Sequence, residues 1–200
     1  MKKIAVILIS SLLAGCAADI SKDIGLNNIS GISYKNNGHA EYVKSYTKTF
    51  NNPTNSIEKL KICTLRNVTN RDVRLGDSSK SFVGSYTGNY YNVKSSSNVS
   101  GGDVLSLSGG NSLVVNGATS YLFDAGIISV KRFVRFTLDV FNKDNSVEYT
   151  FSNIQHAQSD TGSLPNDGFN DIGVWKMAGP TEAIRTLDGI ALSINECLNK

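Results

Sequence analysis

Residues 133–155, FVRFTLDVFNKDNSVEYTFSNIQ, carry the clearest structural pattern in the chain. Val134, Phe136, Leu138 and Val140 alternate with Arg135, Thr137 and Asp139. Asn142-Lys143-Asp144-Asn145 supplies a turn, and Val147, Tyr149 and Phe151 alternate with Glu148, Thr150 and Ser152 on the return. Successive strand residues point to opposite faces, so period-two burial on both arms predicts an antiparallel hairpin with one face on a core.

Downstream, Gln158 to Gly173 reads as a polar loop, and Trp175 stands just before a helix as a core or lid residue. Gly179-Pro180 introduces that helix, in which Ile184, Leu187, Ile190, Ala191, Ile194, Cys197 and Leu198 recur at helical spacing. Upstream, Glu41–Phe50 suggests a strand or edge strand ending at Asn51-Asn52-Pro53. Leu60–Val68 suggests another, with Cys63 and Leu65 on one face. Asn116-Gly117 favours a type I′ hairpin turn, because both residue types tolerate positive φ. Residues 76–110, rich in Ser, Gly and Asn, fit either short strands joined by turns or a mobile insertion. The fold class expected is α+β: an antiparallel β-sheet with a C-terminal amphipathic helix packed on it.

The N-terminus supplies an address. Lys2 and Lys3 precede the apolar run Ile4–Leu13, and Leu13-Ala14-Gly15-Cys16 closes it. A basic start, a short apolar stretch and small residues before a cut form a secretory signal. The run is too short for a membrane-spanning helix, which needs about 20 residues. The closing quartet resembles the lipobox of bacterial lipoproteins, which implies cleavage after residue 15 and acylation of Cys16. Residues 16–40 then read as a lipidated N-terminus and tether, either free or with its latter part packed on the domain, and 41–200 as one β-rich globular domain. Ala17 is not the aspartate of inner-membrane retention signals, so the expected location is the outer membrane, facing the periplasm.

Composition narrows the partners. Loss of Lys2 and Lys3 takes the formal charge from +3 to +1, which argues against nucleic acid. With Cys16 used as the anchor, Cys63 and Cys197 remain in an oxidising compartment and are expected to pair. Cys197 lies near the buried helix face, where a sheet residue such as Cys63 could meet it.

No catalytic constellation is found, and no cofactor is implied. Asp160-Thr161-Gly162-Ser163 matches the short aspartic-protease signature, but Ala157-Gln158-Ser159 precedes it where an apolar strand belongs. Asn166-Asp167-Gly168-Phe169-Asn170-Asp171 groups oxygen donors around a glycine, and makes Asp167, Asn170 and Asp171 a weak calcium candidate. The same residues are ordinary turn chemistry. His39 and His156 read as loop or surface residues. Tyr86, Tyr90 and Tyr91 could stack on sugars or line a partner surface, though half-buried strand aromatics are commoner.

The hairpin FTLDVFNKDNSVEYTFSNIQ, followed by a polar loop, a Trp and a closing amphipathic helix, resembles a domain of exported bacterial proteins. That family's fold is similar to the curved sheet and helix of the TATA-box-binding protein. The resemblance covers residues 105–198 and implies a fold but no activity. The expectation is therefore a non-enzymatic, lipid-anchored envelope protein that binds a protein or envelope component. The alternative is a periplasmic carrier of a lipid or metabolite, with an apolar pocket lined by Phe136, Phe151, Trp175 and the helix stripe.

Overall fold

The structure is a computed structural model that describes residues 21–51, 56–126 and 128–200. The signal segment and Cys16 lie outside the described residues, as do Asn52 and Pro53 of the expected turn. A 3-10 turn, Ile24–Asn28, buries Leu26 and leads into β1 (Ile32–Asn36) and β2 (Glu41–Phe50). Helix α1 (Ile57–Asn67) is followed by β3 (Val73–Asp77), β4 (Phe82–Val83), β5 (Tyr90–Tyr91) and β6 (Ser95–Val99). Next come β7 (Leu105–Gly109), β8 (Ser112–Asp124), β9 (Ser129–Lys143), β10 (Ser146–Gln158) and the short β11 (Asn170–Asp171). Helix α2 (Pro180–Leu198) closes the chain.

Among the described residues, seven strands form one antiparallel sheet in the order β1-β2-β10-β9-β8-β7, with β11 also on β10. β3 pairs with β6 and β4 with β5 as separate two-stranded ribbons, so residues 76–110 contain short strands joined by turns. The architecture is the α+β sheet with a C-terminal helix packed on it. Its centre is the hairpin of residues 133–155, whose connection is Asp144-Asn145 alone, since Lys143 already pairs with Ser146. β2 is an interior strand between β1 and β10, not an edge.

One face of this sheet is the core. Val134, Phe136, Leu138, Val140, Val147, Tyr149 and Phe151 join one buried cluster with Ile184, Leu187, Ala191, Ile194 and Leu198 of α2. Burying each large apolar side chain contributes about 1.5–3 kcal/mol. Phe151 stacks on Tyr46 with ring centres 6.0 Å apart and meets Phe136 edge-on at 5.2 Å. Tyr46 donates its hydroxyl proton to Asp188 on α2, and Lys48 pairs with the same carboxylate at 3.1 Å. Pro180 at the first turn needs no backbone donor, and Gly179 takes the left-handed conformation (φ 69°) that turns the chain into α2. Arg132 holds that turn by donating to the carbonyls of Ala178 (2.7 Å) and Met177 (3.1 Å).

Three local expectations are corrected. Leu60–Val68 lies mostly in α1, not in a strand: Ser56 caps the helix by accepting from the Lys59 N–H, and Leu60, Cys63 and Thr64 share its buried side. That three-to-four spacing outweighs the alternation, and Leu65 is left exposed. Cys63 is therefore a helix residue, and its disulfide with Cys197 joins α1 to α2, Cα atoms 5.6 Å apart. Asn116-Gly117 is not a turn but the middle of β8, because Gly117 lies against the Phe136 ring and Val68. A Cβ there would meet Phe136 Cζ at 2.5 Å and Val68 Cγ1 at 2.8 Å, so absence of a side chain matters and turn-forming freedom does not. Finally, the folded part begins well before residue 41. Asp23 accepts from the Thr181 hydroxyl (2.6 Å) and its N–H donates to the Val174 carbonyl (2.8 Å), tying the expected tether to the start of α2.

Two stability outcomes follow. Gly117→Ala should cost about 1–3 kcal/mol through overpacking, read as a lower urea midpoint at unchanged slope. Reduction of Cys63–Cys197, which spans 134 residues, should destabilise the domain by up to about 5 kcal/mol on the chain-entropy model. Identical urea midpoints with and without reductant would contradict the latter.

Candidate functional site: a polar cleft on the open sheet face

The face of the sheet opposite the helices carries the polar half of each alternation. Lys44 and Ser45 of β2, Thr150, Ser152 and Gln155 of β10, Arg135 and Thr137 of β9 and Asn116 of β8 line a common depression. A bulge in β10 between Ser152 and Gln155 adds one residue, and Asn153 takes the left-handed conformation there (φ 50°). The Asn153 amide consequently reaches Thr137 Oγ1 (3.3 Å), which itself donates to Asn116 Oδ1 (3.1 Å).

The wall of this depression is built by the segment after α1. The chain passes the edge of β8, where Ala118 N–H donates to the Thr69 carbonyl and Asn116 N–H to the Val104 carbonyl, each at 2.7 Å. The Asn70 amide donates to the Gly101 carbonyl, and the Gly101 N–H donates to Asp72 Oδ1 (3.0 Å). From this edge the β3–β6 ribbon crosses towards the end of β10. Gly76 docks there through its N–H on the Ser159 carbonyl (2.9 Å), and its own carbonyl accepts from Thr161 N–H (3.1 Å) and the Asn166 amide (3.1 Å). Between ribbon and sheet lies a cleft of about 870 Å³.

The cleft is cationic. Lys35 pairs with Asp171 at 2.7 Å, and Asp171 is the only carboxylate among the described lining residues. The Arg135 guanidinium lies 4.6 Å from the centre of the Phe169 ring and donates through Nε (2.9 Å) and Nη2 (2.7 Å) to Gln155 Oε1. Lys44 and Arg71 also line the cleft, and neither forms an ion pair among the described residues.

The residues singled out from sequence are scattered. Of the calcium candidates, Asp171 is engaged by Lys35, Asn170 pairs with His156 across β11 and β10, and Asp167 is exposed in the preceding loop. Among the described residues, no three His, Cys, Asp or Glu side chains are grouped to hold a metal ion. Asp160 accepts from the Gly162 N–H (2.8 Å), closing a turn beside Gly76. Phe136 and Phe151, expected in an apolar ligand pocket, are packed in the core, while half-buried Trp175 meets Tyr42 edge-on at 5.8 Å. Tyr86, Tyr90 and Tyr91 are exposed on or beside the β4–β5 ribbon. Arg135, Lys44, Arg71 and Phe169 were not foreseen as site residues. For Arg135 a signal existed, since it lies on the polar side of the decisive hairpin. Arg71 gave none, because its place depends on how the chain rounds the sheet edge.

His39 is an exposed loop residue, but His156 is a half-buried strand residue. It sits within β10 with Nδ1 3.1 Å from the Tyr121 hydroxyl, and burial, helped by the Arg132 charge, pushes its pKa down to about 4. Burial likewise pushes Tyr121 up to about 12 and raises Tyr46 and Tyr149 well above the ordinary tyrosine value. All four lie away from the cleft.

No protein-family model and no curated protein matches the chain. A solved structure does: the crystal structure of a DUF4468 family protein from Bacteroides ovatus aligns with a TM-score of 0.50 at 9% identity, over 90% of this chain and 97% of that one. The likeness extends over nearly the whole molecule and shows a shared fold; at that identity it carries no site residues.

The displaced histidine gives a pH outcome. Between pH 6.5 and about 4 the unfolded chain protonates His156 while the folded chain keeps it neutral, so stability falls as pH drops through that window. The loss by pH 4.5 should be roughly 2–3 kcal/mol at most. Urea unfolding at pH 7 and 4.5 should show a smaller difference for His156→Gln than for the unaltered protein.

Proposed function

We propose that the chain is a lipid-anchored cell-envelope protein acting as a non-enzymatic binding module, with the polar cleft as its binding site. The cleft carries this reading. It is concave, its volume of about 870 Å³ falls within the usual range of ligand sites of about 300–1,000 Å³, and it is bordered by hydrogen-bonding groups. The signal Leu13-Ala14-Gly15-Cys16 supports export and acylation at Cys16. The resemblance of residues 105–198 to a domain of exported bacterial proteins, with its curved sheet and helix, supports the same setting. Several acyl chains on Cys16 would hold the domain on the periplasmic side of the outer membrane, where anchoring concentrates it near envelope partners.

The carrier reading is the second one, and the cleft volume favours it as well. It would place the ligand on the open face and not between sheet and helix, where the core is filled.

The test is made in cells with the full chain and a photo-crosslinking residue at Asn153, on the cleft floor, or at Leu192, exposed on α2. The expected result is a membrane-fraction protein that labels with a palmitate analogue and crosslinks one envelope component from position 153 but not 192. Cys16→Ser should lose both label and membrane association. A soluble, unlabelled full chain would overturn the anchor, and equal crosslinking from both positions would overturn the cleft as the binding site.

A further inference from the structure

We infer that the cleft takes an acidic oligosaccharide, its anionic groups being sugar carboxylates or phosphates. This rests on the cleft being the binding site and adds the ligand's chemistry. The first argument is charge distribution. The chain without Lys2 and Lys3 has a formal charge of +1, yet among the described residues the cleft gathers Lys35, Lys44, Arg71 and Arg135 against Asp171 alone. Lys35 is neutralised at 2.7 Å, which leaves three cations without a carboxylate partner among the described residues. A nearly neutral surface that concentrates three such cations in one concavity is arranged for an anion.

The spacing of those cations argues for an extended ligand. Lys44 is on β2, Arg135 on β9, and Arg71 beside the edge of β8. β2 and β8 are separated by β10 and β9, so three strand spacings of about 4.8 Å put their backbones roughly 14 Å apart. One phosphate or carboxylate cannot engage both ends of such a row, whereas a chain with acidic groups on successive units can.

Between the cations, beside apolar lining residues such as Val43 and Ile154, lies a set of neutral polar side chains. Asn116, Thr137, Thr150, Ser152 and Asn153 present amides and hydroxyls, which can both donate and accept, as sugar hydroxyls require. Arg135 is held flat: Phe169 packs on its face and Gln155 takes Nε and Nη2, so Nη1 remains for an incoming oxygen. Of the two aromatic rings that line the cleft, Phe169 is covered by that guanidinium and Phe136 is held in the core, which leaves bases little to stack on and favours a sugar over a nucleic acid.

The test is calorimetric titration of the full chain, purified from membranes in detergent, with trigalacturonate, a phosphorylated maltotriose, neutral maltotriose and a DNA trinucleotide. One or both acidic trisaccharides should bind at least about tenfold more tightly than the other two probes, and more weakly as salt is raised. Which of the two binds identifies the anion as carboxylate or phosphate. Arg71→Glu and Lys44→Glu should each weaken that binding about tenfold with an unchanged melting midpoint. Equal binding of neutral maltotriose would overturn the anionic assignment and leave the cleft a binding site. Equal or tighter binding of the trinucleotide would overturn the sugar. Binding of none of the four would overturn this inference, while position-dependent crosslinking from Asn153 in cells would still uphold the cleft.

Discussion

The packing of Phe136, Phe151 and Tyr46 beneath α2 sets the polarity of the whole sheet. These rings come from β9, β10 and β2, so the same face is chosen on three neighbouring strands at once. Because side chains alternate, a slip of one residue in any register would send its apolar set to the opposite face. The hairpin register is therefore held by the core and not by the turn, and the two residues Asp144 and Asn145 need only close it. The polar residues between the rings inherit the other face. Arg135 and Thr137 line the cleft because Val134, Phe136 and Leu138 are buried.

The helices complete this division. α2 covers the buried face, and α1 is fastened to it through Cys63–Cys197 near the end of the chain. α1 thereby delivers Val68 to the Phe136 ring beside Gly117, and from there the chain passes the β8 edge. That passage carries residues 69–71 and the β3–β6 ribbon to the open face. The cleft wall is in this sense a consequence of where α1 is held, and a missing Cβ in β8 is the point that lets the chain come close enough to cross.

What could be read from residues alone tracks how local the determining physics is. The hairpin of residues 133–155 and helix α2 were legible because alternation and helical spacing run uninterrupted through them. α1 was not, because LKICTLRNV carries a weak apolar stripe whose three-to-four spacing acquires meaning only against α2. Asn116-Gly117 misled for a related reason: a dipeptide that suits a turn was read without the ring that lies against it. The cleft was the least legible feature. Its residues come from β1, β2, β3, β6, β8, β9, β10, β11, the α1–β3 and β6–β7 connections and the loop before β11, and no stretch of sequence holds more than a few of them. Phe169 and Asp171 did fall in a segment singled out for its oxygen donors, but the structure uses that segment for a cation–π contact and an ion pair.

The separation of the two faces also explains why displaced pKa values do not mark the site here. Strong shifts often accompany functional groups, since burial and specific charge partners are what tune catalytic acids and bases. In this fold, burial is the leading cause of the shifts at Tyr46, Tyr121, Tyr149 and His156, and all four belong to the helix-covered side or its margin. Tyr46 is matched to Asp188 and His156 to Tyr121, which is how a half-polar side chain is accommodated in a core. A binding surface for a charged, hydrated ligand makes the opposite demand: its groups must remain wet and ready to exchange water for ligand oxygens. Lys44, Arg71 and Arg135 are exposed, and the sheet gives them a fixed floor without burying them. Rigidity with exposure, not desolvation, is what this architecture contributes to recognition.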